Sequence, residues 1–400
     1  MNGVAGAAIQ GACAFQGGMS IALPHPETSA GGASLREWRA LPPEGGRPSE
    51  VWLRCVCGRP VGVRHAGGRC VCGSRAAEAR QGVIELAPTG YWGEMPQPQM
   101  QRMLEAAALD WRRAIAEYAP EELQDYVPHP HRAAFQDILP AGPQSRILDV
   151  GAGLGAIAAT LAERHWVVAL EGVRERALFI ALRQQQQRLE RLLVINADVR
   201  RVDFLPGQFD VILLNGVLEW AGVWDHQRSP TAMQLDLLRR LRGWLAPGGL
   251  LYIGIENRFS WHEFRGAVDH SGLPYTSLLP RPVARLVCRH AQHYRAAVNT
   301  GYRTYTYSHR GYQRLFERAG LALRSTHISI HGYNQPVELV PLLAEAIYFQ
   351  VRSRALPSDQ WRVRLRQYLK LALAREWFWR WFGGDFVFLL GAAVEERNDA

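Results

Sequence analysis

Two cysteine pairs, one glycine loop and one crowded polar segment carry most of the chemistry this 400-residue chain could perform. Cys55-Val-Cys57-Gly58 recurs as Cys70-Val-Cys72-Gly73, and twelve residues separate Cys57 from Cys70. Four thiolates within 18 positions suit a closed tetrahedral zinc site, structural and not catalytic. The metal would supply folding energy that so short a segment cannot draw from a core. A redox or free-thiol cluster and a copy that has lost its metal are the other two readings. Farther on, Asp149-Val-Gly151-Ala-Gly153-Leu-Gly155 closes an apolar run. Glycines there let the backbone turn sharply and approach a ligand closely. A dinucleotide loop would use G-x-G-x-x-G with a pyrophosphate at the helix start. Here a carboxylate stands two residues before the first glycine, where it would repel pyrophosphate and receive an ammonium. The loop favours a nucleoside with an amino-acid tail.

The third group runs from Glu256-Asn257-Arg258 through His262 to Asp269-His270. It concentrates acid, base and amide side chains where a connecting loop needs none. His270 has the type to act as general base, since its ordinary pKa near 6.5 suits neutral pH. Asp269 or Glu256 could orient it, while Asn257, Arg258 and His262 could contact a substrate, Arg258 gripping an acidic one. Substrate contact without proton transfer and a loop-tying role stay open beside catalysis.

These side chains need a frame. Short apolar runs at 146–150, 166–170, 192–196, 209–214 and 250–255 alternate with helical patterns at 155–164, 175–190 and 231–245. Strands alternating with helices predict βαβ units and a parallel sheet covered on both faces. Ligands in such sheets sit outside the carboxyl ends of the strands. A further helix at 310–320, a strand at 323–330 and a last strand at 385–394 complete the expected sheet.

With several ordered motifs, residues 140–335 resemble the class I S-adenosylmethionine-dependent methyltransferases. The resemblance implies an α/β, Rossmann-like, doubly wound, mostly parallel sheet; the cysteine spacing adds a small N-terminal zinc ribbon, and the helical spacing at 336–382 an insertion before the last strand. It also implies that Asp149, Gly151, Gly153 and Gly155 wrap the methionine part of S-adenosylmethionine. Glu171 would bind both ribose hydroxyls. Asn196-Ala-Asp198-Val199 looks like the adenine motif, with Asp198 accepting from the exocyclic amine and Val199 beside it. The run Phe209 to Asn215 and on to Glu219 resembles the fourth motif and makes Asn215 a cofactor contact. Leu245-Ala-Pro247-Gly248-Gly249 resembles the turn into the fifth strand. Many relatives carry histidine after the Leu-Glu of the fourth motif. Trp220 stands there instead, so any general base must come from elsewhere. The Glu-Asn-Arg … Asp-His-x-Gly pattern resembles bacterial methyltransferases of glycan and specialised-metabolite pathways. The cysteine module resembles zinc modules that precede some methyltransferase domains, including ones acting on ribosomal RNA.

Length and composition frame these signals. Hydrophobic residues at 48% and charged residues at 21% allow a sizeable core. No apolar run is long enough to span a membrane, and a basic leader is missing from the first residues, so a cytoplasmic enzyme is expected. Net charge is +9, with Lys370 the single lysine; this permits an anionic partner without demanding one. The chain divides into a disordered tail (1–50), the zinc-ribbon-like module (51–90), a helical lead-in (91–140) and a methyltransferase domain (141–400). That domain holds an acceptor loop at 255–310 and a basic, aromatic helical insertion at 336–382. A packed cap, a lid, a membrane contact and a nucleic-acid surface are the readings of the insertion. The expected activity is methylation of oxygen or nitrogen on a small-molecule or glycan-linked acceptor. An RNA methyltransferase and a non-catalytic scaffold are the alternatives.

Overall fold

The computed structural model describes residues 50–55, 57–73, 75–93, 95–223, 225–291, 302–354 and 360–393. The tail expected at 1–50 lies outside them except for Glu50, as do 292–301 of the expected acceptor loop.

The chain opens with β1 (Val51–Arg54), β2 (Pro60–Val63), β3 (Gly68–Arg69), β4 (Arg75–Arg80) and β5 (Val83–Ala87). A helical lead-in follows: α1 (Gln97–Ala107), α2 (Trp111–Tyr118) and α3 (Glu121–Tyr126), then a 3-10 segment at Pro130–Ile138. The alternating core is β6 (Arg146–Val150), α4 (Ala156–Leu161), β7 (Trp166–Glu171), α5 (Arg174–Gln187), β8 (Leu192–Ala197), β9 (Phe209–Asn215), α6 (Pro230–Trp244) and β10 (Leu245–Ile255). Beyond it come α7 (Trp261–Phe264), α8 (Arg281–His290), α9 (His309–Arg318), β11 (Leu321–Ser329) and β12 (Leu339–Pro341). The chain then runs through α10 (Ala344–Ser353), α11 (Trp361–Ala372) and α12 (Glu376–Phe382) into β13 (Asp385–Ala392).

One sheet of eleven strands runs β12-β11-β13-β10-β9-β6-β7-β8-β5-β4-β3. The central strands β5, β8, β7, β6, β9 and β10 are mutually parallel, and β13 turns antiparallel between β10 and β11. Apolar side chains fill β6 to β8 almost without interruption, as a sheet buried on both faces requires. Chain order reverses at β6, whose neighbours are β7 and β9. The ligand crevice of an open α/β sheet forms at such a switch point.

The N-terminal module is continuous with this sheet. β5 pairs parallel with β8, and β4 and β3 extend the edge. The β1–β2 hairpin is tied to the body through Gln208, whose side chain accepts from Trp52 N–H (2.6 Å) and donates to the Trp52 carbonyl (2.7 Å). The lead-in packs on the sheet and α5: Phe135 stacks on Tyr252 at 4.1 Å, and the Arg183 guanidinium lies 4.2 Å over Trp111. Residues of the insertion are mostly surface. None is buried in α11 or α12, and Trp361, Tyr368 and Trp377 are exposed. Among the described residues no helix is long and apolar enough to cross a membrane.

Candidate functional site

The glycine loop sits at the carboxyl end of β6, at the switch point. Gly151, Gly153 and Gly155 all have left-handed φ, at 70°, 58° and 73°, conformations that a side chain rarely adopts. A Cβ on Gly151 would fall 2.7 Å from Val217 Cγ2, whereas open space surrounds Gly153. The loop is therefore packed on one side and clear at its tip. Asp149 lies beneath, 2% exposed, and its Oδ2 has no hydrogen-bond partner among the described residues. Burial pushes this carboxyl up to about 7, against the pull of Arg132.

Glu171 ends β7 with Oε2 accepting from Gly153 N–H (2.8 Å) and Oε1 from Val173 N–H (2.9 Å). Its carboxylate is thereby aimed across the mouth of the loop. Asp198 is buried after β8 and holds the Arg200 guanidinium through both oxygens, at 2.9 and 3.0 Å from Nε. An exocyclic amine would have to share those oxygens. Val199 is half-buried beside it. Asn215 ends β9, and its Nδ2 is buried without a hydrogen-bond partner among the described residues. The residues expected from sequence to meet a cofactor thus stand at or just after the carboxyl ends of the adjacent strands β6 to β9.

A nucleoside with a cationic amino-acid tail fits this crevice. It offers a donor for the orphaned Asp149 oxygen and occupies the free space over Gly153. Glu171 places a carboxylate, an acceptor of hydroxyl donors, at the mouth of the loop.

A second constellation lies beside it. Glu219 comes from the 3-10 turn Leu218–Gly222 after β9, Glu256 follows β10 directly, and His270 comes from the loop before α8. The His270 Nε2 is 2.7 Å from Glu256 Oε1 and 3.6 Å from Glu219 Oε1. The first contact is close in distance but out of line for a ring N–H donor. Glu219 is fully buried, and neither of its carboxylate oxygens has a hydrogen-bond partner among the described residues. Burial, reinforced by Glu256, pushes Glu219 up to about 8. Burial alone would lower His270, but the charges of Glu256 and Glu219 outweigh it and raise the imidazole to about 9. Around them, Glu263 and Asp385 are each lifted by burial to about 7.

The arrangement corrects several expectations. His270 is held as an imidazolium at neutral pH, so in this state it cannot take an acceptor's proton. Asp269 does not orient it. Its Oδ1 accepts from Ser271 N–H (2.7 Å) and its Oδ2 from Thr276 Oγ1 (2.5 Å), which ties the loop. Asn257 is fully buried and donates to the carbonyls of Trp381 and Gly383, both at 3.0 Å. Arg258 donates to the carbonyls of Ser277 (2.6 Å) and Leu279 (2.7 Å). Both side chains hold backbone in place. His262 is exposed and lies against Trp261, apart from the His270 contacts. Reading by sequence missed Glu219 as a site residue. Its signal was an acidic residue at the turn after a buried strand, one position before Trp220.

At the N-terminal module the four thiols converge. Cys55 Sγ is 3.7 Å from Cys72 Sγ, and Cys57 Sγ is 3.5 Å from Cys70 Sγ, with all four within 4.8 Å of one another. Four sulfurs about 2.3 Å from one zinc stand roughly 3.8 Å apart in a tetrahedron, so the set fits the ion. The two halves match: Gly58 N–H donates to the Cys55 carbonyl and Gly73 N–H to that of Cys70, with φ of 84° and 83°.

Residues 148–251 match a family described as a methyltransferase domain. Over 121 residues the chain is 32% identical to a trans-aconitate 2-methyltransferase of Deinococcus radiodurans, covering 30% of this chain and 42% of that protein. Over 150 residues it is 27% identical to the mitochondrial ubiquinone biosynthesis O-methyltransferase of Saccharomyces cerevisiae, covering 36% and 45%. The chain therefore spans less than half the length of either curated relative. A Haemonchus contortus phosphoethanolamine N-methyltransferase 2 solved with S-adenosyl-L-methionine superposes with a TM-score of 0.37 at 13% identity, over 66% of this chain and 52% of that one. The sequence matches support a methyltransferase domain at the centre of the sheet.

Proposed function

We propose that this chain is an S-adenosylmethionine-dependent methyltransferase acting on oxygen or nitrogen of a small-molecule or glycan-linked acceptor. The observation that carries the reading is the buried Asp149 carboxylate, whose Oδ2 has no hydrogen-bond partner among the described residues, under three left-handed glycines. When bound, the cofactor supplies an activated sulfonium methyl. Asp149 receives its ammonium, Glu171 its ribose hydroxyls, and Asp198 its adenine amine by sharing oxygens with Arg200. Positioning of the acceptor in line lowers most of the barrier to such a transfer. Trp220, Glu219, Glu256 and His270, at the adjoining strand ends, form the wall that an acceptor meets. The small-molecule class draws on the curated relatives, whose names give trans-aconitate and ubiquinone biosynthesis. The four cysteines hold a structural zinc that fastens the N-terminal module.

Calorimetry with S-adenosylhomocysteine tests the reading. Micromolar binding, lost in Asp149→Ala, is expected. A folded chain with no such binding removes it.

A further inference from the structure

We propose that Glu219, Glu256 and His270 form a divalent-cation site at the acceptor end of the crevice, a function that rests on the methyltransferase reading although the site itself does not. Three observations converge. First, four buried polar atoms in this cluster have no aligned hydrogen bond among the described residues: both carboxylate oxygens of Glu219, Oε2 of Glu256 and Nε2 of His270. Burying a carboxylate so completely without a partner is costly, and Glu219 is fully buried. Second, one ligating atom from each residue lies within 4.8 Å of the others. Third, the three residues arrive from separate segments: Glu219 from the turn after β9, Glu256 from the end of β10 and His270 from the loop before α8.

Spacing separates an ion from an ammonium group. Donors around a metal at about 2.1 Å stand roughly 3.0–3.4 Å apart, whereas oxygens around an ammonium at about 2.8 Å spread to roughly 4.6 Å. The distances from Nε2 are 2.7 and 3.6 Å, too close for donors spread around an ammonium; the shorter is that of a histidine–carboxylate ion pair, which an entering ion would open by displacing the ring proton. Two carboxylates with one imidazole suit a divalent ion such as manganese, whose preference is for oxygen and nitrogen donors over thiolate.

Such an ion would occupy the place where a general base is missing. An acceptor hydroxyl bound to it would lose its proton to solvent more readily. The resulting oxygen would attack the sulfonium methyl, forming the O–C bond as the S–C bond breaks and leaving S-adenosylhomocysteine. Charge balances, because the alkoxide electron pair becomes the new bond and the sulfonium pair returns to sulfur.

The full chain, stripped of divalent ions, is titrated with Mn2+ alone while the free ion is followed by electron paramagnetic resonance. Saturable uptake near one ion per chain is expected at this cluster. Glu219→Gln and Glu256→Gln should weaken it on the order of 100-fold, and Cys57→Ser should retain it. Unchanged uptake in a folded Glu219→Gln or Glu256→Gln chain overturns the site. A readout without variants covers the case in which those chains do not fold: Mn2+ should broaden the His270 ring resonances, and an unbroadened signal overturns the proposal. Homocysteine-nucleoside binding without Mn2+ uptake leaves the methyltransferase reading and reduces the cluster to a histidine–carboxylate pair only. Mn2+ uptake without nucleoside binding keeps the site and removes the methyltransferase reading.

Discussion

The indole of Trp220 lies against the imidazole of His270, ring centroids 4.6 Å apart and tilted by 58°. A second indole, that of Trp92, meets Trp220 at 4.7 Å. Trp220 lies against the imidazole, whose Nε2 is buried although the side chain is 23% exposed, and shielding at that nitrogen strengthens its attraction to Glu256 and Glu219. Its folded pKa of about 9 exceeds the unfolded 6.5. The stabilisation is therefore fully present below about pH 6.5 and lost as pH rises through 9. Glu219, lifted from 4.5 to about 8, acts in the same direction between those values. Asp269, Glu263 and Asp385 also interact with the imidazole and favour its charge. For the ion-free chain we expect a melting temperature that falls between pH 6.5 and 9, a span worth about 3 kcal/mol for the histidine alone. His270→Gln should flatten the profile, and an imidazole titrating near 6.5 by NMR would contradict the coupling.

Proton release links this cluster to metal. An ion must displace the protons carried by His270 and Glu219, so its affinity rises with pH. Mn2+ should bind about tenfold or more tightly at pH 8.5 than at pH 6.5. Calorimetry in two buffers of different ionisation enthalpy would show the released protons. Equal affinity at both values would mean that the ion binds elsewhere.

The cysteine module yields a separate expectation. Elemental analysis should find about one zinc per chain, lost in a Cys55→Ser/Cys70→Ser variant. Since β4 and β5 run from this module into the main sheet, the loss should be felt beyond it. Amides of β5 should exchange faster with solvent in the variant, while those of β6 at the sheet centre keep their protection. A native preparation free of zinc would refute the site.

Much of this architecture was legible because apolar runs report burial. The strands β6 to β10 each carry a mostly apolar run, and the left-handed turns at Gly151, Gly153 and Gly155 are local geometry that favours glycine. The union of β5 with β8 was not legible. A five-residue strand beside a cysteine knuckle looks the same whether it completes the knuckle or joins a sheet, since pairing over more than a hundred residues leaves no local mark. Roles in the Glu256 to His270 segment were hidden for a related reason. Asn257 and Arg258 have the types of substrate ligands, but their partners are backbone carbonyls from distant segments. Glu219 was overlooked because its isolation in a buried site emerges only when β9 and β10 are brought together.

Asp149 connects cofactor to pH. Burial lifts the carboxyl from 3.8 to about 7, so the folded chain holds a proton that the unfolded chain has released, and this proton costs stability progressively as pH rises from 4 to 7. A bound ammonium favours the ionised form. S-adenosylhomocysteine should consequently bind more weakly as pH falls below 7, about tenfold for each unit once the carboxyl is protonated. Asp149→Asn should abolish that slope and cost on the order of 10–100-fold in affinity at pH 8, as for a lost hydrogen bond to charge. An unchanged slope in this variant would place the ammonium on another group.

Asn257 separates anchoring from recognition. Its amide holds the carbonyls of Trp381 and Gly383 at the end of α12, and its Oδ1 accepts from Phe259 N–H at 3.1 Å. Asn257→Ala would leave those groups unsatisfied in a buried place, at a cost of about 2–4 kcal/mol. The amide ties the insertion to the strand end at β10, beside the ring contacts of Phe259 with Trp381 at 6.0 Å and Phe264 with Phe382 at 5.8 Å. The variant should melt several degrees lower and expose the 376–382 segment to proteolysis, with S-adenosylhomocysteine affinity within about twofold of the parent. A substrate contact would behave the other way, leaving the melting temperature in place and raising KM alone.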